Sequence, residues 1–188
     1  ESASKWIASK DGKQWALYIC LNPLKKAKRK KASVVDISTT RVLLIDIDPK
    51  EGSTGAELDQ GAERAAALLE KYTGARPAVV HSGRGRQLWL RHEPAEDGTN
   101  AKHLRASVCK ALKEALKNEV KIDSTGNADR LARLVGTVNR RTGARAQLLR
   151  GAEGIAPLEG LSRLCEALKP APPRPALQNR NLRRDHEP

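Results

Sequence analysis

The sequence predicts an α+β fold. Segments with strand character and segments with helical spacing alternate irregularly, and a glycine-rich turn joins two of the strand-like segments, which is typical of an antiparallel hairpin. The chain has 188 residues, enough for one domain with a buried core. We expect residues 1–169 to form that domain and residues 170–188, with their prolines and arginines, to be a disordered tail or a linker to a further domain.

The central strand is Arg41–Asp48, because four apolar residues lead into Asp-Ile-Asp and Pro49 then ends the pattern. Other short apolar segments bounded by turn residues are predicted strands: Gln14–Leu21, Val34–Ile37 (a short edge strand), Pro77–Ser82, Gln87–Arg91, Val120–Asp123 and Ala146–Leu149.

Apolar residues at helical spacing predict three helices. These are Glu57–Tyr72, which Gly74 follows as a stop signal, then Ala101–Asn118, and finally Leu158–Lys169. Between the last two helices, Asn127–Asn139 is a compact, arginine-rich segment.

The charge of the chain points to a polyanionic partner. It has 35 Lys and Arg against 22 Asp and Glu, a net charge of +13. Nucleic acid and an anionic membrane both fit, but the sequence has no apolar run of about 20 residues, so membrane is the weaker choice. The 3 cysteines are widely spaced, without a zinc pattern, which fits a reduced intracellular setting. The chain begins with Glu1 and has no methionine, so we expect it to be a piece of a longer protein.

Asp46 and Asp48 are the first candidate site. They lie two residues apart on the central strand and therefore on one face, with Ile45 and Ile47 on the other. Two carboxylates roughly 6–7 Å apart suit divalent cations, and a pair of metal ions is a common device for phosphoryl or nucleotidyl transfer. The alternative is an ordinary strand end or a helix cap.

The second candidate is the hairpin Ser82-Gly83-Arg84-Gly85-Arg86-Gln87. Its glycines would let phosphate oxygens approach backbone amides, and Ser82, Arg84 and Arg86 would add donors for a triphosphate. Arg84 and Arg86 stand at alternate positions, which predicts a shared face. The alternative is a plain hairpin whose glycines serve turn geometry alone.

The third candidate begins with Asp123 and continues through Asn127–Asn139. Asp123 could supply a third carboxylate at a strand end. Arg130 and Arg133 are one helical turn apart, so either could face a phosphate. The alternative is a surface helix with ordinary ion pairs, such as Asp129 with Arg133.

A basic run lies near the N-terminus. It is either a solvated loop or a flexible arm on a nucleic-acid backbone. The candidate nucleic-acid-binding residues are Lys25, Lys26, Lys28, Arg29, Lys30 and Lys31.

The order of these elements resembles the archaeo-eukaryotic primase superfamily, in particular the small primase–polymerase domains of phages and plasmids. That family has a strand with Asp-x-Asp, a Ser-Gly-x-Gly-x-His hairpin and a hydrophobic-Asp motif, often followed by an Arg-x-Pro-Gly-Thr-x-Asn-like segment. Here the corresponding segments read Asp46-Ile47-Asp48, Ser82–Gln87, Ile122-Asp123 and Arg133–Asn139. The resemblance covers roughly Trp15 to Leu149. It departs from the family at Gln87, where the family has a phosphate-binding histidine, and at Val135, where proline is usual.

The resemblance implies a sheet like that of an RNA-recognition motif with helices behind it, plus a smaller α/β unit. It implies a primase or polymerase that replicates a mobile element, with single-stranded DNA as template, nucleoside triphosphates as substrates, and a fused or separate helicase as a possible partner. Asp46, Asp48 and Asp123 would be catalytic and would hold Mg²⁺ or Mn²⁺. The triphosphate would be held by Ser82, Arg84, Arg86, Gln87, Arg133, Asn139 and Arg140.

Two other functions stay open. The domain could be a non-catalytic nucleic-acid-binding module of a replication initiator, with the acids kept for structure. It could also be a metal-dependent nuclease, which needs clustered carboxylates but has no evident use for a triphosphate-binding hairpin. A pure binder gains nothing from Asp46 and Asp48 where DNA must lie, and this favours the enzyme.

Overall fold

A computed structural model describes residues 2–11, 15–27, 30–96, 99–123 and 126–169; for 99 and 100 it describes the backbone alone. The predicted tail, Lys28 and Arg29 of the basic run, and the beginning of the first predicted strand lie outside the described residues.

Four α-helices, one short 3₁₀ turn and seven strands make up this part of the chain. In chain order they are α1 (Ala3–Lys10), β1 (Tyr18–Cys20), the 3₁₀ turn (Val34–Asp36), β2 (Thr40–Asp48), α2 (Gly55–Thr73), β3 (Ala78–His81), β4 (Arg86–Ala95), α3 (Thr99–Ala115), β5 (Lys121–Ile122), β6 (Leu131–Arg133), β7 (Gln147–Arg150) and α4 (Leu158–Ala167).

The main sheet has five strands in the order β5-β2-β4-β3-β7, and every neighbouring pair is antiparallel. The two longest strands, β2 and β4, are neighbours inside the sheet, with Leu43 opposite Leu90 and Ile45 opposite Leu88. The α+β prediction is therefore confirmed.

One face of this sheet is covered by α2, α3 and α4. Its side chains belong to a single apolar cluster that includes Ile45 and Ile47 of β2 and Leu88 of β4, each 0% exposed. Because side chains alternate along a strand, the residues between them face the other way. The helices therefore leave the second face of the sheet to Asp46, Asp48 and their neighbours.

Helix α2 owes its boundaries to local sequence. Thr54 accepts a hydrogen bond from the Glu57 amide, and the Glu57 carboxylate accepts one from the Thr54 amide, a reciprocal capping box. At the other end Gly74 adopts φ 69°, the left-handed conformation that glycine reaches without strain. The predicted stop at Gly74 is confirmed.

A second, two-stranded sheet pairs β1 with β6, with Tyr18 opposite Arg133. The buried Asn22 fastens the end of β1 to the main sheet. Its amide group donates to the carbonyls of Val42 and Ala128, and its oxygen accepts from the amides of Arg41 and Val42.

Most predicted elements are present, with ends shifted by a few residues, but three segments differ. The predicted edge strand Val34–Ile37 is wrong: residues Val34–Asp36 form a 3₁₀ turn, because the Asp36 carboxylate accepts from the amide and hydroxyl of Ser33. Neither α1 nor β6 was predicted from the sequence.

None of the helices in the described ranges is long and apolar enough to cross a membrane.

Candidate active site

Three carboxylates meet where β2 and β5 run side by side. Asp46 and Asp48 lie on the face of β2 that the helices leave open, and Asp48 is the register partner of Lys121 on β5. The Asp123 amide, just after β5, donates to the Asp46 carbonyl at 3.2 Å. Backbone pairing therefore brings Asp123 beside Asp46, although 77 residues separate them in the sequence.

A guanidinium group links two of these carboxylates. One nitrogen of Arg130, Nη2, lies 2.8 Å from Asp123 Oδ2 and 3.2 Å from Asp46 Oδ2. Burial raises the pKa of the Asp46 carboxyl, while the charge and hydrogen bond of Arg130 act in the opposite direction. Asp46 thus sits in a partly desolvated place that favours a neighbouring cation.

The three carboxylates fit Mg²⁺ or Mn²⁺ in their chemistry, because hard divalent cations prefer oxygen ligands. Their positions do not yet suit a cation, because the Arg130 guanidinium occupies the space between Asp46 and Asp123. Within the described ranges, no cluster of three or more Asp, Glu, His or Cys side chains is arranged to hold a metal ion. A divalent cation bound to both carboxylates requires Arg130 to move.

The glycine hairpin between β3 and β4 packs directly against the end of β2. A Cβ atom on Gly85 would lie 2.5 Å from the Ile47 carbonyl oxygen and 3.2 Å from Asp48 Oδ1. Only glycine fits so close to the strand, so this residue brings the hairpin to the carboxylates. The first two predicted sites are therefore neighbours.

Within the hairpin, both glycine amides already have partners. The Gly85 amide donates to the Ser82 hydroxyl and the Gly83 amide donates to Nδ1 of His81. Arg84 is exposed at the tip of the turn. The hairpin thus offers an anion the Arg84 side chain, whereas its glycine amides serve the turn.

Arg86 points away from this site. It is buried, and its Nε donates to Asp59 of α2 at 2.5 Å. Arg86 precedes Leu88 by two residues on β4 and therefore shares the helix-covered face with it. The predicted common face for Arg84 and Arg86 is wrong, and we leave Arg86 out of the nucleotide site.

Gln87 lies on the open face, opposite Asp46 in the register. Its side chain forms a hydrogen bond that lowers the pKa of Asp46, and its oxygen accepts from the Arg133 amide at 3.3 Å. Gln87 thus joins β2 to β6.

Arg133 is buried beneath Tyr18. Its Nη2 donates to the Tyr18 hydroxyl at 2.9 Å, and the centre of its guanidinium lies 4.3 Å from the centroid of the Tyr18 ring. Its other terminal nitrogen, Nη1, is buried without a hydrogen-bond acceptor among the residues that the structure describes. A buried cation with an unused donor has capacity left for an anionic ligand.

Residues Asn139–Ala144 hold the hairpin from its other side. Asn139 is buried and its amide group donates to the Ser82 carbonyl, while the Thr142 hydroxyl donates to the Gly83 carbonyl at 2.7 Å. Arg140 is exposed next to them. Asn139, predicted as a nucleotide contact, fixes the shape of the hairpin here.

The segment Asn127–Asn139 is not a helix. It contains β6, so the predicted helical spacing of Arg130 and Arg133 is wrong; the two arginines contact different partners. In the basic run, Lys25, Lys26, Lys30 and Lys31 are exposed, as either prediction for that run requires.

Three contacts escaped the sequence analysis: Arg130 with two carboxylates, Tyr18 with Arg133, and Asp59 with Arg86. The first two had a weak signal, since arginines near an Asp motif and an aromatic residue on a predicted strand were visible. The partners are 7 to 115 residues apart, and the fold brings them together.

No protein-family profile matches this chain, and no curated protein matches it. Four chains of solved structures are similar to it, and two of them show the extent of the likeness. One is the AEP domain of the primase-polymerase (PrimPol) of cyanophage S-2L, with 17% identity and a TM-score of 0.46 over 71% of this chain and 64% of that chain. The other is the polymerase domain of Mycobacterium tuberculosis Ligase D in complex with DNA, with 21% identity and a TM-score of 0.47 over 67% of this chain and 52% of that one.

The chain thus matches less than two thirds of either structure. We base the function on the site of this chain and on the motifs of its sequence.

Proposed function

We propose that this chain is the catalytic domain of a DNA-template-directed primase or polymerase, which transfers nucleotides from nucleoside triphosphates to a 3′-hydroxyl. The observation that carries the proposal is the meeting of two motifs at one place: Gly85 of the glycine hairpin lies against Asp48 of the Asp-x-Asp strand. A carboxylate pair beside a hairpin with an exposed arginine suits a substrate with several phosphates.

The carboxylates lie on a face that a substrate can reach. Asp46 and Asp123 keep 29% and 45% of their side chains exposed, while the isoleucines beside Asp46 are fully buried. Once Arg130 moves aside, Asp46, Asp48 and Asp123 would hold Mg²⁺ or Mn²⁺. The metal would lower the pKa of the attacking 3′-hydroxyl and neutralise charge on the phosphates.

The cations around the carboxylates would orient the triphosphate. Arg84 reaches it from the hairpin tip and Arg133 from β6, where Nη1 lacks an acceptor among the described residues. Gln87 supports this arrangement because it hydrogen-bonds both the Arg133 backbone and Asp46. Ser82 and Asn139 keep the hairpin in shape, and Arg140 is a further cation beside it.

The net charge of +13 and the exposed lysines of the basic run would bind the template backbone without selecting a sequence. Replication of a phage or plasmid, with a helicase acting alongside, is the setting that the family resemblance implies.

A non-catalytic nucleic-acid-binding module is the second candidate. The ion pairs of Arg130 with Asp46 and Asp123 favour it, because they give these acids a structural role that needs no metal. The two functions differ in what the carboxylates do when substrate is present.

Nucleotide incorporation on single-stranded DNA tests the proposal. The assay compares reactions with and without a primer, in Mg²⁺ and in Mn²⁺. We expect product with a primer at least, and product without one would identify a primase.

The matched variant is Asp46→Asn with Asp48→Asn, which keeps the size of both side chains and removes both charges. We expect it to abolish incorporation and to bind single-stranded DNA as well as or better than the unaltered chain, because two anions leave the site. Product at the unaltered rate would refute the catalytic role. Salt-sensitive DNA binding without product from either protein would establish the binding module instead.

A further inference from the structure

The aromatic residues of this chain are few, and their distribution is uneven. The sequence has 3 Trp, 2 Tyr and no Phe. Trp6, Trp15 and Tyr18 are exposed at 49%, 52% and 49%, while Tyr72 and Trp89 are partly buried. All of the exposed rings therefore lie within the first 18 residues. Exposed apolar surface of this kind often marks a binding site.

Helix α1, which carries Trp6, is a second unusual feature. All of its 8 residues are described, and none of them is buried. An isolated helix of this length is marginal in water, and most helices gain their stability from a packed face. Helix α1 presents Trp6 between Lys5 and Lys10 on the surface of the protein.

Two contacts join this N-terminal part of the chain to the candidate site. After α1, the Asp11 carboxylate accepts from the Val138 amide at 2.6 Å and from Arg145 at 2.8 Å. Val138 directly precedes Asn139, which holds the glycine hairpin. Further along the chain, Tyr18 lies over Arg133. Trp15 is three residues from Tyr18, so their Cα atoms are at most about 11 Å apart.

We propose that residues 2–11 and 15–18, which we name the N-terminal arm, form a base-stacking surface for single-stranded nucleic acid. Trp15 and Tyr18 would stack on unpaired bases next to the site, and Trp6 would extend the surface, with Lys5 and Lys10 on the phosphates. Charge complementarity favours this partner, since the chain carries +13 and the strand is a polyanion with exposed bases. The proposal rests on the proposed function, and it names the surface that would receive the template.

The Tyr18 ring is already held in a fixed orientation for stacking. The Arg133 guanidinium covers one face and the hydroxyl is hydrogen-bonded to it, so the ring is held in one orientation while half of it stays exposed. When a base stacks on the outer face, the protein loses little conformational entropy, because the ring is already ordered. Arg133 thus supports a base through Tyr18 and a phosphate through its own nitrogen.

The test measures binding of two probes of equal length by fluorescence anisotropy, without divalent metal. One probe is a 20-nucleotide oligothymidylate and the other has abasic tetrahydrofuran units in place of every nucleotide. Stacking contributes about 1–3 kcal/mol per base, or roughly 5- to 150-fold in affinity, so we expect the oligothymidylate to bind at least about 5-fold more tightly. Trp15→Ala with Tyr18→Ala should remove this preference and leave the affinity for the abasic probe unchanged.

Three matched variants separate stacking from other effects. Trp15→Phe keeps a ring and should keep the preference. Lys5→Gln with Lys10→Gln should lower the affinity for both probes equally. It should also make the slope of log K against log salt concentration shallower by about 0.7 per lost phosphate contact. Ile155→Ala removes another exposed apolar side chain, at 53%, outside the arm and should change neither probe.

Equal affinity of the unaltered chain for both probes would overturn the proposal, and so would an equal loss for both probes in the double aromatic variant. The incorporation assay is independent of this result. A preference for the oligothymidylate without nucleotide incorporation would support the stacking surface and refute the polymerase. Incorporation without that preference would support the polymerase and refute the stacking surface.

Discussion

The two faces of the five-stranded sheet differ completely, although the same strands build both. Along β2, Ile45 and Ile47 are fully buried under the helices, while Asp46 and Asp48 face the other way and stay partly exposed. On β4, Leu88 belongs to the apolar cluster and Gln87 to the carboxylate side. Because each residue reaches one face alone, stability and proposed chemistry are separated by a single position in the sequence.

The comparison predicts that substitutions on neighbouring residues of β2 have different consequences. The helix-covered face should affect the free energy of unfolding, and the carboxylate face should affect substrate and metal binding. Four experiments examine this division, beginning with the one of largest expected effect.

Ile47→Ala should lower the free energy of unfolding by about 2–5 kcal/mol, because it leaves a cavity among fully buried side chains. Urea denaturation followed by circular dichroism measures the loss. Asp48→Asn is the control one position further on, and its unfolding free energy should stay within about 0.5 kcal/mol of the unaltered value. Equal destabilisation by the two substitutions would contradict the division between the faces.

Gly85→Ala should disturb the junction of the hairpin with β2, since its Cβ would lie 2.5 Å from the Ile47 carbonyl oxygen. We expect a loss of about 1–3 kcal/mol in unfolding free energy. We also expect weaker nucleotide binding, because the hairpin must move away from Asp48; isothermal titration with a non-hydrolysable triphosphate measures it.

Gly55→Ala is the matched control for that substitution. Gly55 has open space around its Cα, with nothing within 4 Å of an added Cβ, and it lies in the first turn of α2. The substitution should be neutral or slightly stabilising. A similar loss for both glycines would show that the contact of Gly85 with β2 is unimportant.

Arg130→Gln should remove the guanidinium that joins the Asp46 and Asp123 carboxylates. The pKa of Asp46 should rise further, because the charge of Arg130 is the largest influence that lowers it. Affinity for Mn²⁺, measured by electron paramagnetic resonance, should increase several-fold, since the guanidinium no longer competes for the same oxygens. Arg64→Gln, which breaks an exposed pair with Glu119, is the control. If Arg130→Gln bound Mn²⁺ more weakly than the unaltered chain while Arg64→Gln did not, Arg130 would not be competing with the metal for the carboxylates.

Arg84→Gln and Arg86→Gln compare the exposed arginine of the hairpin with the buried one. Arg84 is exposed, and its loss should raise the KM for nucleotide several-fold at unchanged stability. Arg86 is buried and pairs with Asp59 on α2, so its loss should lower the free energy of unfolding by about 1–3 kcal/mol and leave KM unchanged. Steady-state kinetics on both variants measures the two KM values. An equal increase in KM for both variants would support the common face of Arg84 and Arg86 that was predicted from the sequence.

Elements with a long periodic pattern were predictable from the sequence. The apolar run into Asp46 and Asp48, the spacing of α2 and the glycine turn each carry a local signal that tertiary structure did not override. Helix α1 carries no such signal because it buries no face. The segment at Val34 looked β-branched, but one Asp36 side chain bends it into a turn.

The membership of the candidate site was only partly predictable. Asp46, Asp48 and Asp123 were located by motif, and the structure brings Asp46 and Asp123 to one guanidinium. The directions of Arg86 and Asn139 depend on strand register and on a loop that packs from 57 residues away, which no local pattern encodes. Sequence motifs thus predicted where the three acids lie better than which groups the arginines contact.

The pairing of β1 with β6 has a consequence for how this protein is made. Tyr18 and Arg133 are 115 residues apart, so β1 leaves the ribosome long before its partner exists. The strands that carry Asp46 and Gln87, and β5, which Asp123 follows, can pair earlier. The side of the site formed by Tyr18 and Arg133 must wait for the closure of a long loop, which is entropically costly. A chain that ends before Leu131 would keep its acids but lack Arg133 and the partner strand of β1, so synthesis completes the proposed nucleotide site late.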